Sequence, residues 1–170
     1  GGESLFTRYV NYGLSWKKYS DIAKAFGGVK GDYAIAKTDG KANVLNMTID
    51  DYLVMKYINE GFNQHLTTCK TCKIAATVAG PQEEVLNGGL KSKVAAALQA
   101  HPEINVVHAP IDAALQFFVT QAIKESGRTD LLVIGGDGLP TAIDDMRLGI
   151  SGEDPGHTNA EVAFPHEWSG

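Results

Sequence analysis

The sequence predicts an α/β fold: a three-layer sandwich with a mainly parallel sheet. Two observations carry this. Short apolar runs of strand length alternate with segments of helical periodicity, each long enough to cross over to a parallel neighbour. One run, Leu131 to Ile134, is apolar throughout, as expected of a strand buried on both faces.

Along the chain, Leu5 to Tyr12 alternates weakly and reads as a strand or a hinge segment. Trp16 to Thr38 has helix-like content interrupted by Gly27-Gly28 and Gly31, so two short helices or one broken helix are expected. Ala42 to Thr48 reads as a strand. Asp50 to Leu66 is helical, with Asp50 or Thr48 as its cap and Val54, Ile58, Phe62 and Leu66 on one stripe. Cys72 to Val78 is the next strand, ended by Gly80-Pro81. Glu83 to Ala100 reads as one helix with Leu86, Leu90, Val94, Ala97 and Leu98 on its inner face, and His101-Pro102 stops it. Ile104 to Ala109 is a strand, and Asp112 to Ser126 a helix ending at Gly127. After Leu131 to Ile134, the turn Gly135-Gly136-Asp137-Gly138 leads to a helix from Pro140 to about Leu148, with proline suited to a first turn. A last strand is expected around Asn159 to Phe164.

Composition narrows the function classes. A chain of 170 residues, 44% hydrophobic and 21% charged, can bury its own core and is not of disordered type. The net charge of −5, with no run of Lys or Arg, leaves no footprint for nucleic acid. The longest uncharged stretch, Ala109 to Ile123, is broken by Asp112 and too short to span a bilayer. No signal peptide is visible in residues 1–20, and the chain opens Gly-Gly-Glu-Ser without an initiator Met; a processed or trimmed piece is expected.

Cys69 and Cys72 form a Cys-Lys-Thr-Cys motif. Two cysteines are too few for a zinc site of their own, and the histidines show no metal spacing. A redox pair normally opens a helix, where the dipole lowers a thiol pKa; here a helix ends at the motif and a strand follows. A small local disulfide in an oxidising compartment is the expectation, with reduced structural thiols as the alternative.

In an open parallel sheet, ligands bind at the carboxyl ends of the strands. Those ends place Asp112 and Asp137 in one neighbourhood, although a helix N-cap for Asp112 and turn geometry for Asp137 are the structural alternatives. No third carboxylate or histidine accompanies them, so a metal site is not expected, nor any other cofactor. The glycine-rich turn has neither dinucleotide nor phosphate-loop spacing, and no serine lies in a nucleophile elbow. His108 inside an apolar strand reads as a core or edge histidine, and Phe117-Phe118 as packing. On these grounds a binding module outranks an enzyme.

Three segments resemble the periplasmic sugar-binding protein and lactose-repressor ligand-domain family. They are His101-Pro-Glu-Ile-Asn-Val-Val-His-Ala-Pro-Ile-Asp-Ala-Ala, Leu131-Leu-Val-Ile-Gly-Gly-Asp-Gly-Leu-Pro-Thr-Ala with Met146 to Gly149 downstream, and Asn59-Glu-Gly-Phe. The resemblance covers about residues 42–165 and implies the carboxyl-side lobe of a two-lobed fold. Residues 1–13 would be a hinge crossover, 14–163 the lobe and 164–170 the return crossing, with the amino-side lobe outside the chain. Residue by residue, Asp137 matches the family aspartate that hydrogen-bonds sugar hydroxyls. Lys56 stands where an arginine often donates to the ligand, and lacks its flat fork. Gln82 falls near a ligand-facing position. Ile111 occupies the place of a ligand-binding Asn, and Ala163 replaces another polar contact.

The resemblance implies capture of a carbohydrate-like solute between two lobes that close by a hinge, and delivery to a membrane permease. It implies a periplasmic or extracellular location, with a lipid anchor on the full-length protein. The alternative is the effector-binding domain of a lactose-repressor-type regulator, which the paired cysteines count against. A small α/β enzyme would need a nucleophile or acidic metal cluster near Asp137 that the sequence does not show.

Overall fold

The structure, a computed structural model, describes residues 16–49, 51–112, 119–136 and 138–151. Its elements in order are α1 (Trp16–Lys37), β1 (Asn43–Ile49), α2 (Leu53–Leu66), β2 (Lys73–Gly80), α3 (Gln82–Asn87), α4 (Gly89–Ala100), β3 (Val106–His108), α5 (Thr120–Ser126), β4 (Leu132–Ile134) and α6 (Pro140–Ser151). The expected strand at Asn159 to Phe164, the hinge segments at 1–13 and 164–170, Ala163 and Phe117-Phe118 lie outside the described residues.

The four strands pair in the order β2-β1-β3-β4, and every pair is parallel. Alternation along β1 divides its side chains between two layers. Leu45, Met47 and Ile49 join Val78, Val107 and Val133 in a core with Leu90, Val94 and Leu98 of α4 and Ala122 and Ile123 of α5. Val44 joins Val106 and Ile134 against Phe62 and Leu66 of α2 and Ala34 of α1. The α/β sandwich expected from the sequence is the one observed.

Three elements differ from expectation, each for a local reason. The segment from Trp16 is one unbroken helix, because its glycines serve packing. A Cβ on Gly27 would lie 1.9 Å from the Ile58 carbonyl oxygen, and one on Gly61 would lie 1.9 Å from the Lys24 carbonyl oxygen. The backbones of α1 and α2 touch there, which only glycine allows, and the Lys24–Glu60 ion pair at 2.9 Å flanks the contact. The second difference is at Glu83 to Ala100, which divides into α3 and α4. Gly88 adopts φ 80° and Asn87 Oδ1 accepts from the Gly89 N–H at 3.0 Å, a turn that ends one helix and starts the next. Leu86 consequently sits on α3, 78% exposed, and not on an inner face with Leu90. Third, α2 starts at Leu53 behind an uncapped Tyr52; Asp50 lies outside the described residues, and Thr48 is inside β1.

The turn between α2 and β2 carries a Cys69–Cys72 disulfide, as expected. Thr71 Oγ1 donates to the Gly40 carbonyl and fastens this turn to the one between α1 and β1. At the end of α5, Gly127 takes φ 69° and stops the helix where the sequence places its end.

Alanine at Gly27 or Gly61 must push the two helices apart and should lower stability by about 1–3 kcal/mol. Gly88→Ala meets nothing within 4 Å, so it should cost only the left-handed backbone strain, about 1 kcal/mol. Urea denaturation of the three variants checks both, and equal losses at all three would contradict the packing account.

Candidate functional site

Parallel pairing brings the carboxyl ends of all four strands to one edge of the sheet. In sheet order, the junctions leaving that edge are residues 81, 51–52, 109–112 and 135–139, residue 137 excepted. At about 4.8 Å between neighbouring strands the row is about 14 Å wide, the scale of a small solute.

Two carboxylates hold neighbouring junctions together. Asp51 Oδ2 accepts from the Gln82 N–H at 2.7 Å, tying the start of α2 to the start of α3. Asp112 is fully buried; its Oδ1 accepts from the Gly136 N–H at 2.7 Å and its Oδ2 from the Leu139 N–H at 2.6 Å. Gly136 comes so close that a Cβ there would lie 2.2 Å from the Ile111 Cα. Charge-assisted bonds to two backbone donors make Asp112 the clamp on the loop from β4 to α6. From the opposite side, the buried Lys30 of α1 donates to the Pro110 carbonyl at 3.2 Å, with its ammonium 4.4 Å from the centre of the Phe26 ring.

The residues singled out by sequence fall into two groups along this edge. Gln82 is exposed beside Asp51, and Lys56 is exposed one turn into α2. Ile111 is half-buried and packs against the core, next to the buried Asp112. Asp137 lies outside the described residues; its neighbours Gly136 and Leu139 are the two that Asp112 holds, and Gly138 takes φ 83°. Two exposed leucines stand at junctions of this edge: Leu53 opens α2 and Leu139 precedes α6. Among the described residues no three His, Cys, Asp or Glu side chains gather as a metal site.

A row of polar side chains crosses the sheet below this edge. Thr77, Asn46 and His108 are register partners on adjacent strands, so they share the face beneath α2. Asn46 Oδ1 lies 2.7 Å from His108 Nδ1, and the His108 ring stacks on Phe62 at 3.9 Å between centroids. Burial first, and then the Lys30 charge, holds the imidazole well below its usual pKa. His108 is thus the core histidine the strand pattern suggested. Beside the row, a cavity of about 440 Å³ opens between α2 and the β1–β2 face, lined by Asn46, Thr48, Lys56, Asn59, Asn63 and Thr77. Of these the sequence singles out only Lys56 as a ligand contact; Thr48 appears there as a cap candidate and Asn59 as part of the Asn59-Glu-Gly-Phe segment. The signals for the rest were Asn46 inside an apolar strand and Asn59 and Asn63 four apart on a helix.

Among solved structures, the chain is similar to the periplasmic binding protein component of the arabinose ABC transporter from Shewanella sp. ANA-3. The TM-score is 0.72 at 22% identity, over 87% of this chain and 47% of that one. It is also similar to a galactofuranose-binding protein, with TM-score 0.65 and 22% identity over 84% of this chain and 47% of that one. A 5-methylthioribose transporter solute-binding protein from Thermotoga lettingae TMO matches with TM-score 0.62 and 17% identity, over 73% of this chain and 38% of that one. The chain thus spans less than half the length of the solved structures it matches. The likeness shows the fold, an α/β sandwich matching one lobe of the periplasmic binding proteins. No family model and no curated protein matches the sequence.

Asp112→Asn replaces one of two accepting oxygens with a donor facing a backbone N–H, and should cost about 1–3 kcal/mol, measured by urea denaturation; a neutral result would remove the clamp. The His108 shift has a definite sign. The folded pKa lies below the unfolded value, so the unfolded chain takes up the proton first, and this stability is present above about pH 6.5 and lost as pH falls below it. Stability should drop by up to about 1.4 kcal/mol per pH unit over that limb, and His108→Gln should flatten the slope between pH 7 and 5.

Proposed function

We propose that the chain is the carboxyl-side lobe of a two-lobed solute-binding protein that captures a carbohydrate-like solute outside the cytoplasm and passes it to an ABC transporter permease. The observation that carries this reading is the strand-end edge. It is braced by Asp51, Asp112 and Lys30, which are spent on backbone groups, while Lys56 and Gln82 present unspent side chains beside it. Exposed Leu53 and Leu139 beside it provide apolar surface for a facing lobe. The solved structures of like fold include proteins with bound D-allose, L-arabinofuranose and 5-methylthioribose, which supports a sugar-like ligand class.

In this reading residues 1–13 and 164–170 are the hinge crossings and the amino-side lobe supplies the other half of the contacts. Asp137 and Lys56 hydrogen-bond the solute, Gln82 lies within its reach, and Ile111 and Asp112 floor the site, Ile111 apolar where a polar contact would suit a standard hexose. The protein binds and releases without chemistry. The Cys69–Cys72 disulfide fits a periplasmic or extracellular home, with a lipid anchor on the full-length protein, and disfavours a cytosolic effector-binding domain.

In the two-lobed protein, at least one pentose or hexose of a thermal-shift panel should raise the unfolding midpoint, and Lys56→Ala should weaken that sugar about tenfold, the loss of one charge-assisted hydrogen bond. The chain alone should bind at the strand-end edge more weakly than millimolar. Indifference to every sugar, or tight binding at that edge by the single lobe, would overturn the reading.

A further inference from the structure

We infer that the cavity beneath α2 is a second binding pocket, for an uncharged, hydroxyl-rich small molecule, complete within this one lobe. The inference goes beyond the strand-end reading, because among the described residues the lining belongs to α2, β1 and β2, with no contribution from a facing lobe.

The argument starts from an energetic debt. Asn59 is 7% exposed, and neither its Oδ1 nor its Nδ2 has a hydrogen-bond partner; Asn63 Oδ1 is likewise buried without one. An unpartnered buried amide costs about 1–3 kcal/mol, and leucine at such a position would be cheaper. Both side chains line the same cavity. Asn46, 4% exposed, spends its Oδ1 on His108, while its Nδ2 has no protein partner. Lys56 and Thr77, both exposed, also line the cavity, and among the described residues neither side chain is held by a hydrogen bond or ion pair. Unspent donors and acceptors thus converge from three elements on one space of about 440 Å³, a volume that holds a small ligand.

The chemistry of those groups selects the ligand. Carboxamides and a hydroxyl offer donors and acceptors side by side, the complement of vicinal hydroxyls, each of which both donates and accepts. The carboxylate at the rim, Glu60, is already paired with Lys24 at 2.9 Å, so the pocket presents no free carboxylate to a cationic ligand. One lysine against three amides supplies polarity without the cluster of positive charge that an anion site uses. From Lys56 to Asn63 the helix rises about 10 Å, the length of one sugar ring or a five-carbon polyol. The entrance at Lys56 and Thr48 adjoins the strand-end edge, and the floor at Asn46 and Thr77 lies mid-sheet.

Titration of the ¹⁵N-labelled 170-residue chain with L-arabinose and with xylitol tests this by NMR. The Asn59 and Asn63 side-chain amide signals should move saturably with one or both probes. Asn59→Leu should abolish that response, weaken binding at least about tenfold and raise the urea midpoint, since it removes an unpartnered buried amide. A merely structural asparagine would instead lose stability on this change. Asn63→Leu provides a second variant, and circular dichroism confirms that each folds. Unmoved Asn59 and Asn63 signals with both probes, or unchanged affinity in both leucine variants, overturn the pocket. The Ile111, Gly136 and Leu139 backbone signals report the strand-end edge separately. Weak movement there alone rejects the pocket and leaves the solute-binding reading standing. Movement of Asn59 and Asn63 alone supports the pocket and leaves that reading to the two-lobed protein, since the single lobe is expected to bind at the edge only weakly.

Discussion

The backbone contact between α1 and α2 is the constraint on which most of this lobe depends. Gly27 against the Ile58 carbonyl and Gly61 against the Lys24 carbonyl bring the two helices closer than any side chain would permit. That approach settles where α2 lies over β1, and therefore where Phe62 meets His108 and where Asn59 and Asn63 face the sheet. It also lets Lys30 of α1 reach the end of β3 at Pro110. A looser helix pair would open the layer that shields His108 and would withdraw the brace from the strand-end edge.

The interior carries more polar chemistry than a core needs for stability alone. Lys30, His108, Asn46, Asn59 and Asp112 are all buried. Three of them are spent on position: Asp112 on the loop after β4, Lys30 on the end of β3, Asn46 on the tautomer and tilt of His108. Asn59 has no such use inside the protein. Buried groups that satisfy one another add specificity to the packing, whereas buried groups that do not are a standing cost. The contrast separates residues that build the site from residues that wait for something to enter it.

Much of the architecture is legible because it rests on local rules. Strand and helix alternate in the chain, Gly127 ends α5 by a left-handed turn, and the Cys-Lys-Thr-Cys spacing suits a local disulfide. The sequence suggests a broken helix from Trp16, and the structure an unbroken one, because a glycine in a helix has two physical meanings, weak propensity and close approach. Only the partner helix tells them apart. Leu86 falls outside the inner face that periodicity assigns it, because Asn87-Gly88-Gly89 turns the chain before the apolar stripe of α4 begins.

The candidate site divides along the same line. Sequence by itself determined the α/β class and the junctions that form the strand-end edge, with Asp112 at one of them, because period and turn chemistry act over a few residues. Lys56, Gln82 and Ile111 became candidates only through the family resemblance. Tertiary structure alone decided that Asp112 clamps the loop after β4 and that Asn46, Asn59, Asn63 and Thr77 surround one cavity. Those residues come from three elements whose registry depends on strand pairing and on the α1–α2 contact, and such long-range geometry leaves no periodic trace in the chain.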